Sequence, residues 1–492
     1  MITIKWRQSN LNVQDSELIN KNKQDEKTRG ESYINLMNQN ENQNEIEDGT
    51  ELDRIKVIDS YMGSGKTSLM IQMMNESDSE RRFIYITPYL KQVNRIIDSC
   101  PNKHFAQPSV KEGKGRKSKH LLSLIKNGDN ICSTHAVFKN ISSEMIEALR
   151  SNQYDLIMDE TFNVIEPFDI YAETSYDDDE GERLLHDPKD DMNSLIDKGY
   201  LAIQDNFLVK WIDVHVLKKY NILKELSDRN LLYFINSSLL LWSFPPEVFQ
   251  KGIFKQIYLL TYLFDYQVQS YYYKFFDVQY STWHIEREDN RYIIVRTENN
   301  DLDRKWKNEV KNKIHIVEDK KLNRIGDVSF LSGNRLYSRD RPLKTALSKT
   351  WYDNNPESFS QLGNNVVNFF QNMTNAPGDE RLWSVFAEYK NKVKNRNLSK
   401  HQFISINARA TNDYADRKYL AYCVNRYLPP AYIHFFNKKG IRIDQDKFAL
   451  IDMIQLIWRT AIRNGEEIWV YIPSARMRHL LKAFLDNKEI RF

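Results

Sequence analysis

"SYMGSGKTS" (residues 60–68) decides the fold of the first half of this chain. Gly63 and Gly65 permit backbone angles and a close approach that a side chain would block, so consecutive N–H groups can point at one anion. The stretch stands between a β-branched run, "RIKVIDS" (54–60), and "KTSLMIQMMN" (66–75), which has helical spacing. Strand, glycine turn and helix therefore follow in the order that a phosphate-binding loop requires.

The polar residues of this loop fit a nucleoside triphosphate with its metal ion. Lys66 would reach the β- and γ-phosphates, and the Thr67 hydroxyl would hold Mg²⁺. The strict pattern has glycine where Ser60 stands, and an ordinary glycine turn before a helix is the alternative interpretation. We predict ATP and Mg²⁺ as cofactors, bound by Gly63, Ser64, Gly65, Lys66, Thr67 and Ser68.

An acidic pair follows a second apolar run in "YDLIMDETFN" (154–163). The run predicts a buried parallel strand with Asp159 and Glu160 at its carboxyl end. Asp159 would coordinate Mg²⁺ through water, and Glu160 would orient or deprotonate the attacking water. Charged residues commonly end strands, so this pair gains its meaning only beside the phosphate-binding loop.

A third motif, "QLIWRTAIR" (455–463), stands near the end of the sequence. Gln455, Arg459 and Arg463 recur every four residues, which predicts that all three project from one helix face. Two guanidinium groups on one stripe suit bidentate phosphate binding. A solvated basic stripe is the alternative, but the apolar residues between them favour a mostly buried helix.

These three stretches resemble motifs I, II and VI of superfamily 2 helicases, in a divergent form of the phage or mobile-element type. The resemblance implies an α/β fold of two RecA-like P-loop domains, each a parallel sheet flanked by helices. ATP would lie in the cleft between the domains. The implied catalytic residues are Lys66, Glu160, Gln455, Arg459 and Arg463, and the implied metal-binding residues are Thr67 and Asp159.

The stretches between these motifs follow in the order of the family's remaining motifs. "IYITPYLKQVNRI" (84–96) resembles motif Ia, and "ICSTHAVF" (131–138) resembles the Ib region. "IYLLTYLFD" (257–265) stands where motif III belongs, and "FISINARATNDY" (403–414) stands where motif V belongs. The resemblance implies nucleic-acid contacts by Thr87, Pro88, Thr134, His135, Arg409, Thr411 and Asn412.

Two further stretches are candidates for nucleic-acid contacts. "VKEGKGRKSKH" (110–120) is a basic run beside the Ia and Ib candidates, so Lys114, Arg116 and Lys117 are predicted to contact phosphates. A solvated loop is the equally weighted alternative. "SYYYKFF" (270–276) offers rings on which bases can stack, although packing between the domains explains them at least as well.

The separation of Asp159 and Thr261 far exceeds the roughly 2 to 6 residues of an ordinary βα connection. We therefore expect an inserted subdomain at about residues 163–250. Its acidic stretch, residues 175–191, has no regular ligand spacing and is interpreted as a solvated loop rather than a metal site. The apolar stretch at 230–249 is predicted to be a helical core that ends at the two prolines.

Composition sets the domain organisation. With 492 residues, 41% of them hydrophobic, the chain is long enough for two or three domains. Residues 1–53 are predicted to be a flexible polar extension, because residues 8–50 contain few large apolar side chains. The first RecA-like domain is expected at 54–280 and the second at 281–492.

Charge, cysteines and hydropathy limit the function classes. The 70 basic and 67 acidic side chains nearly cancel, so a nucleic-acid surface depends on local clustering. The three cysteines are far apart and no long apolar run appears, which favours the reducing cytoplasm and no membrane partner. The predicted partner is nucleic acid, DNA more than RNA. A replication or recombination protein on the insertion or the extension is a further predicted partner.

The predicted function is an ATP-dependent nucleic-acid helicase or translocase in replication, recombination or mobile-element biology. One alternative is a P-loop ATPase switch or remodelling module that acts on protein, which nucleic acid would not stimulate. Another is a non-catalytic nucleic-acid-binding protein with a degenerate ATP site. The complete set of Lys66, Asp159, Glu160, Arg459 and Arg463 argues against that alternative.

Overall fold

The computed structural model has a mixed α/β architecture with two separate, mainly parallel sheets. A smaller subdomain lies between two strands of the first sheet in the chain order. The structure describes residues 4–6, 53–169, 189–213, 220–296, 301–327, 329–331, 335–337, 344–393, 395–406 and 413–492.

The first sheet has eight strands within these ranges. Every neighbouring pair is parallel except the β12–β13 hairpin. In spatial order the strands are β1 (Ile4–Trp6), β13 (Arg291–Arg296), β12 (Ser281–Glu288), β2 (Ile55–Asp59), β11 (Phe254–Thr261), β5 (Tyr154–Asp159), β3 (Phe83–Thr87) and β4 (Ile131–Thr134).

The central strands of this sheet are mostly apolar and almost entirely buried, as expected where helices cover both faces of a parallel sheet. The strands predicted at 54–60 and 154–159 and the helix predicted at 66–75 are confirmed as β2, β5 and α1. The helices that accompany the sheet are α1 (Lys66–Glu76), α2 (Leu90–Ser99), α3 (Lys117–Asn127), α4 (His135–Phe138), α5 (Ser143–Asn152) and α8 (Val268–Phe275).

The end of the first sheet differs from the domain boundary expected at residue 280. Strand β12 pairs in parallel with β2, and its hairpin partner β13 extends the sheet by another strand. The first sheet therefore continues to Arg296. Strand β1 pairs with β13, so residues 4–6 of the predicted flexible extension join the sheet. The polar run at 8–50 lies outside the described residues.

The subdomain between β5 and β11 contains an antiparallel sheet in the order β6–β10–β9. A second hairpin, β7–β8, packs beside it with two helices. The elements are β6 (Ile165–Pro167), α6 (Lys189–Asp197), β7 (Leu201–Ile203), β8 (Val209–Trp211), α7 (Asn221–Asp228), β9 (Leu232–Ile235) and β10 (Leu239–Ser243). Most of the acidic stretch 175–191 lies outside the described residues.

The helical core predicted at 230–249 is wrong, because these residues form the β9–β10 hairpin. Asn236 and Ser237 have φ angles of 49° and 52°, the backbone conformation that a tight hairpin turn requires. The two strands are short apolar runs that are mostly buried, and periodicity cannot distinguish such runs from a buried helix. The polar residues Asn236 and Ser237 between the two apolar runs were the sequence signal for a hairpin turn.

The second sheet has four parallel strands among the described residues, in the order β14 (Ile314–Ile316), β19 (Ile468–Tyr471), β18 (Tyr419–Tyr422) and β17 (Arg381–Ser384). A separate short hairpin joins β15 (Ser329–Leu331) and β16 (Arg335–Tyr337). The helices are α9 (Asp301–Lys311), α10 (Lys320–Asp327), α11 (Lys349–Asn354), α12 (Phe359–Asn368), α13 (Lys390–Val393), α14 (Pro430–Asn437), α15 (Gln445–Ile457) and α16 (Ala475–Leu485).

One contact between the two sheets is made at the phosphate-binding loop. The ring of Tyr61 stacks on Trp306 of α9 with 5.1 Å between the ring centroids. Trp306 in turn contacts Trp458, at 4.6 Å. The Tyr262 hydroxyl, just after β11, donates to Asp303 Oδ1 at 2.6 Å. Helix α9 therefore packs between the second sheet and the end of the first sheet that carries the glycine loop.

A second contact is made by helix α14, which follows the second sheet's strand β18 in the chain. Its Phe435 and Phe436 are fully buried in the core of the first sheet. Phe435 stacks on Phe275 of α8 with ring centroids 4.3 Å apart. The aromatic stretch 270–276 is thus mostly buried and packs the two parts of the chain together, which excludes the alternative that its rings stack on bases.

No helix in the described part of the chain is both long and apolar enough to cross a membrane. Cys100, Cys132 and Cys423 are all buried, and none of them forms a disulfide.

Candidate nucleotide-binding site

The phosphate-binding loop joins β2 to α1, as the order of elements predicted. Gly63 and Gly65 have φ angles of 84° and 94°, in the left-handed region that favours glycine. Gly65 is also closely covered: a Cβ there would lie 2.3 Å from Cε1 of Tyr292. Glycine is therefore required at this position by both the backbone angle and the space.

Ser60, which stands where the strict loop pattern has glycine, has a structural role. Its backbone N–H donates to the Thr261 carbonyl at 3.1 Å, and its hydroxyl accepts from the Ile285 N–H at 2.9 Å. The side chain thus continues the pairing of β2 with β12 beyond the end of the strand. This contact explains the departure from the pattern without disturbing the loop.

Lys66 begins α1 and turns back into the loop. Its ammonium group donates to the carbonyls of Ser60 and Tyr61 at 2.6 and 3.0 Å. Burial lowers the pKa of Lys66 to about 8, although the carboxylates of Asp59, Asp159 and Glu160 act in the opposite direction. A bound phosphate would supply the negative charge that stabilises this ammonium.

Thr67 and Asp159 meet at the carboxyl ends of β2 and β5. The Thr67 hydroxyl donates to Asp159 Oδ2 at 3.3 Å, and the Tyr85 hydroxyl donates to the same oxygen at 2.9 Å. Burial raises the pKa of Asp159, while the hydrogen bond from Tyr85 and the nearby Lys66 lower it. A hydroxyl and a carboxylate oxygen are ligands that Mg²⁺ prefers, so the residues fit the predicted metal.

The other loop residues also suit an anion. The Ser64 hydroxyl is buried and has no hydrogen-bond partner in the part of the chain that the structure describes. Ser68 lies in the first turn of α1, where backbone N–H groups lack partners within the helix. The Gly65 N-cap contributes no side-chain cap, which leaves these groups for a ligand.

Glu160 directly follows β5 and borders a cavity. Its φ angle of 68° is rare for a residue other than glycine and is often found in active sites. Its backbone N–H donates to the Leu260 carbonyl at 2.9 Å, which fixes the turn after the strand. The cavity beside it has a volume of about 1030 Å³ and lies between the two sheets. Gln455 lines the same cavity, so two predicted catalytic residues from distant motifs share one cleft.

The third motif does not lie on one helix face as predicted. Helix α15 ends at Ile457, and Arg463 follows in a short 3-10 helix, Ala461–Asn464. The Thr460 hydroxyl donates to the Ile457 carbonyl at 2.7 Å, and Thr460 is extended, which ends the helix before the arginines align. Arg459 is buried and Arg463 is exposed.

The position of Trp458 connects this motif to the phosphate-binding loop. Trp458 contacts Trp306, and Trp306 stacks on Tyr61 of the loop. The Trp458 ring, next to Arg459 in the sequence, is therefore linked to the loop through the ring of Trp306, although the two motifs are far apart in the sequence.

The nucleic-acid contacts predicted from motifs Ia and Ib lie inside the fold. Thr87 is fully buried and donates to Gln92 Oε1 at 2.5 Å, while Pro88 is half-buried. Thr134 and His135 are both only 6% exposed. Thr87 and Thr134 end strands β3 and β4, and His135 begins helix α4. In this conformation the three residues cannot form a surface for backbone phosphates, because all of them are buried.

The other predicted nucleic-acid contacts lie on the basic loop or outside the described residues. Lys114 and Arg116 are exposed, and Lys117 is half-buried at the start of α3. Arg409, Thr411 and Asn412 lie outside the described residues. Of the stretch expected to contain the motif V strand, the described residues 403–406 make one isolated bridge, between Phe403 and Trp383.

Sequence reasoning missed three residues around the loop. Asp59 accepts from the N–H groups of Leu263 and Phe264 at 2.7 and 2.9 Å, and burial raises its pKa. Its position as a carboxylate at the end of an apolar strand was a usable signal. Tyr85, in the middle of β3, orients Asp159 through its hydrogen bond. Tyr292 covers Gly65, and it was missed because the predicted domain boundary at residue 280 assigned its hairpin to the second domain.

Comparison with known proteins shows the family to which the chain belongs. Residues 308–485 match the family described as the YonV C-terminal Rossmann-like domain. The chain is 35% identical over 447 residues to the "SPbeta prophage-derived uncharacterized protein YonV" of Bacillus subtilis (strain 168). The alignment covers 89% of this chain and 100% of that protein. The chain belongs to the YonV family.

The YonV match agrees with two features of the chain. The Rossmann-like description fits the parallel second sheet, whose four strands fall within the matched residues. The prophage origin of the Bacillus subtilis relative agrees with the phage-type character expected from the motifs.

Proposed function

We propose that this member of the YonV family is an ATP-dependent nucleic-acid translocase or helicase of the superfamily 2 type, built from two RecA-like domains. The observation that carries the proposal is the meeting of Thr67 and Asp159, at 3.3 Å, beside the half-buried Lys66. A phosphate-binding loop, a metal-ligand pair and an acidic residue beside a cleft together form the parts needed for ATP hydrolysis.

The residues divide the work of hydrolysis. The loop N–H groups and Lys66 hold the triphosphate, and Thr67 and Asp159 hold Mg²⁺. When bound, Mg²⁺ neutralises charge that develops on the β- and γ-phosphate oxygens. Glu160 accepts the proton of the attacking water from its position at the cleft. Tyr85 keeps the Asp159 carboxylate oriented through its hydrogen bond.

The arrangement of the two sheets supports coupling of hydrolysis to movement. Glu160 of the first sheet and Gln455 of the second line one cavity, so closure or opening of this cleft changes both. Arg459 and Arg463 would complete the ATP site from the second domain. The ring contacts of Tyr61, Trp306 and Trp458 supply a direct mechanical link between the loop and this motif.

A nucleic-acid track is supported by the exposed basic loop. Lys111, Lys114, Arg116 and Lys119 are exposed around the start of α3, where they can neutralise phosphates. DNA is the proposed track, with the prophage origin of the relative as its support.

A second candidate is an ATPase that acts on protein. The burial of Thr87, Thr134 and His135 favours it, because three of the predicted nucleic-acid contacts are withdrawn from the surface. The two candidates differ in their response to nucleic acid.

The test measures ATP hydrolysis by the full chain alone and with single-stranded DNA, duplex DNA or RNA. We expect DNA to raise the rate several-fold and Glu160→Gln to bind DNA and ATP while hydrolysing slowly. A Lys114→Glu, Arg116→Glu double variant should lose the stimulation and keep the basal rate. Lys198→Glu, an exposed charge change in the subdomain, is the control. A basal rate that no nucleic acid changes would favour the protein-directed ATPase.

A further inference from the structure

The ring of Tyr292 on β13 lies against the phosphate-binding loop. A Cβ at Gly65 would lie 2.3 Å from Cε1 and 2.8 Å from Cζ of the ring. Tyr292 is half-buried, so its ring contacts the loop without being enclosed by the core. An aromatic surface therefore lies directly beside the residues proposed to hold the triphosphate.

The hairpin that carries this ring is fastened to α1. The Gln72 side chain makes two hydrogen bonds with the Tyr292 backbone, accepting from its N–H at 3.1 Å and donating to its carbonyl at 3.2 Å. One turn further along α1, Glu76 pairs with Arg291 at 2.5 Å. The backbone at Tyr292 is thus held in place relative to the helix that begins with Lys66.

The order of strands shows which end of a nucleotide would reach this ring. Strands β11 and β5 lie on one side of β2, and β12 and β13 lie on the other. Thr67 and Asp159 set the metal and the terminal phosphates on the β5 side. The base is at the opposite end of the molecule from the γ-phosphate, so it extends toward the β12–β13 side.

Arg287 adds a charged group to the same surface. It is the cross-strand partner of Tyr292 in the hairpin, and its guanidinium lies 5.8 Å from the ring centroid. Arg287 is exposed. A planar guanidinium beside an aromatic ring can stack on a base as well as donate hydrogen bonds to it.

We infer that Tyr292 is the stacking platform for the base of the bound nucleoside triphosphate, with Arg287 as its charged neighbour. The inference rests on the proposed function, because it takes the loop as a triphosphate site. Stacking uses the face of a base, which all bases share, so purine and pyrimidine nucleotides should both depend on Tyr292.

The test compares two ligands that share phosphates and differ in the base. Adenylyl imidodiphosphate and inorganic tripolyphosphate, each with Mg²⁺, are titrated into the wild type and into variants of Tyr292. Tyr292→Ala should weaken the adenine ligand by roughly 5- to 150-fold, the range found when a stacking ring is removed. Its affinity for tripolyphosphate should stay within a factor of about two of wild type.

Two further variants separate stacking from support of the loop. Tyr292→Phe should keep the adenine affinity, while Tyr292→Leu, which retains an apolar contact with Gly65, should lose it as Tyr292→Ala does. Thr282→Ala, at an exposed position on the neighbouring strand β12, is the control and should change neither ligand. Equal weakening of both ligands in Tyr292→Ala would show that the ring only supports the loop, which overturns the inference and leaves the proposed function intact. A wild-type chain that binds neither ligand contradicts the proposed function as well.

Discussion

At the scale of single residues, the site depends on charges that the fold has withdrawn from water. Asp159 is buried and Lys66 is half-buried. Burial shifts the pKa of each group in the direction that favours its neutral form. Each group counteracts part of the shift of the other, since Lys66 lowers the pKa of Asp159 and Asp159 raises that of Lys66. The arrangement leaves a cation whose charge is sensitive to the arrival of an anion.

Lys66 should make nucleotide binding depend on pH. Burial lowers its pKa to about 8 in the free protein, whereas a bound triphosphate favours the charged ammonium and raises the pKa again. Above pH 8 the free protein has lost this proton, so binding must take one up. Affinity therefore falls as the pH rises through about 8, by roughly tenfold per pH unit beyond it.

Titration calorimetry at about pH 7 and about pH 9, in buffers with different heats of ionisation, measures this proton. Lys66→Arg is the matched control, because a guanidinium stays charged over the whole range and should abolish the dependence. Proton release, or an affinity that is the same at both pH values, would show that Lys66 does not meet the phosphates.

At the scale of elements, the sequence predicted the elements that depend only on residues adjacent in the chain. The β2–loop–α1 unit followed from "RIKVIDSYMGSGKTS" because strand, glycine turn and helix are adjacent in sequence. The β9–β10 hairpin was missed because a short apolar run is compatible with either a strand or a helix. The burial of Thr134 and His135 was missed because it depends on residues distant in the sequence, such as Thr87 on β3 beside Thr134 and Phe162 beside the His135 ring.

Helix α14 shows the same limit for long-range contacts. Nothing in "PAYIHFFN" (430–437) indicates that its aromatic pair packs on α8 rather than on its own sheet. The contact with Phe275 is set by the path of the whole chain. It is nevertheless one of the contacts through which the second sheet meets the first, so it should contribute strongly to stability.

Phe435→Ala should lower the free energy of unfolding by about 3–5 kcal/mol, the usual cost of removing a buried aromatic side chain. Phe435 is fully buried against Phe275 and Tyr233, with ring centroids 4.3 and 4.8 Å away. Denaturant unfolding of the full chain measures the change. Met373→Ala is the control, since Met373 is 44% exposed and should cost little. Equal stability of the two variants would mean that α14 does not pack on the first sheet.

At the scale of the whole molecule, two mainly parallel β-sheets border one cleft. Helices α9 and α14 make contacts between the two parts of the chain. The sequence motifs predicted that residues near 160 and 455 come together, and Glu160 and Gln455 do line one cavity. The boundary between the parts could not be predicted, because the β12–β13 hairpin looks the same in sequence whether it extends the first sheet or begins the second. Its parallel pairing with β2 shows that the hairpin belongs to the first sheet.

Arg463 tests whether the second domain takes part in catalysis. Arg463→Ala should leave nucleotide affinity within a few-fold and lower kcat by on the order of 10³, the scale on which an arginine stabilises transition-state charge. Arg463 is exposed, so the substitution should not unfold the chain. Arg459→Lys should also be impaired, because a point charge does not reproduce the planar fork.

Steady-state kinetics of these variants, with Arg442→Ala as an exposed arginine control in the same part of the chain, give the answer. If Arg463→Ala has the wild-type rate per folded molecule, the arginine acts only within the second domain and the ATP site belongs to the first domain alone.

The most direct test of the central claim is ATP hydrolysis by the full chain with Mg²⁺, measured for the wild type beside Lys66→Ala. The account predicts turnover by the wild type and a rate at background for the variant, because a methyl group cannot balance charge on the γ-phosphate. Both proteins should show the same folded circular dichroism spectrum. A variant that hydrolyses ATP at a near wild-type rate, or a wild type that hydrolyses none with or without nucleic acid, would contradict it.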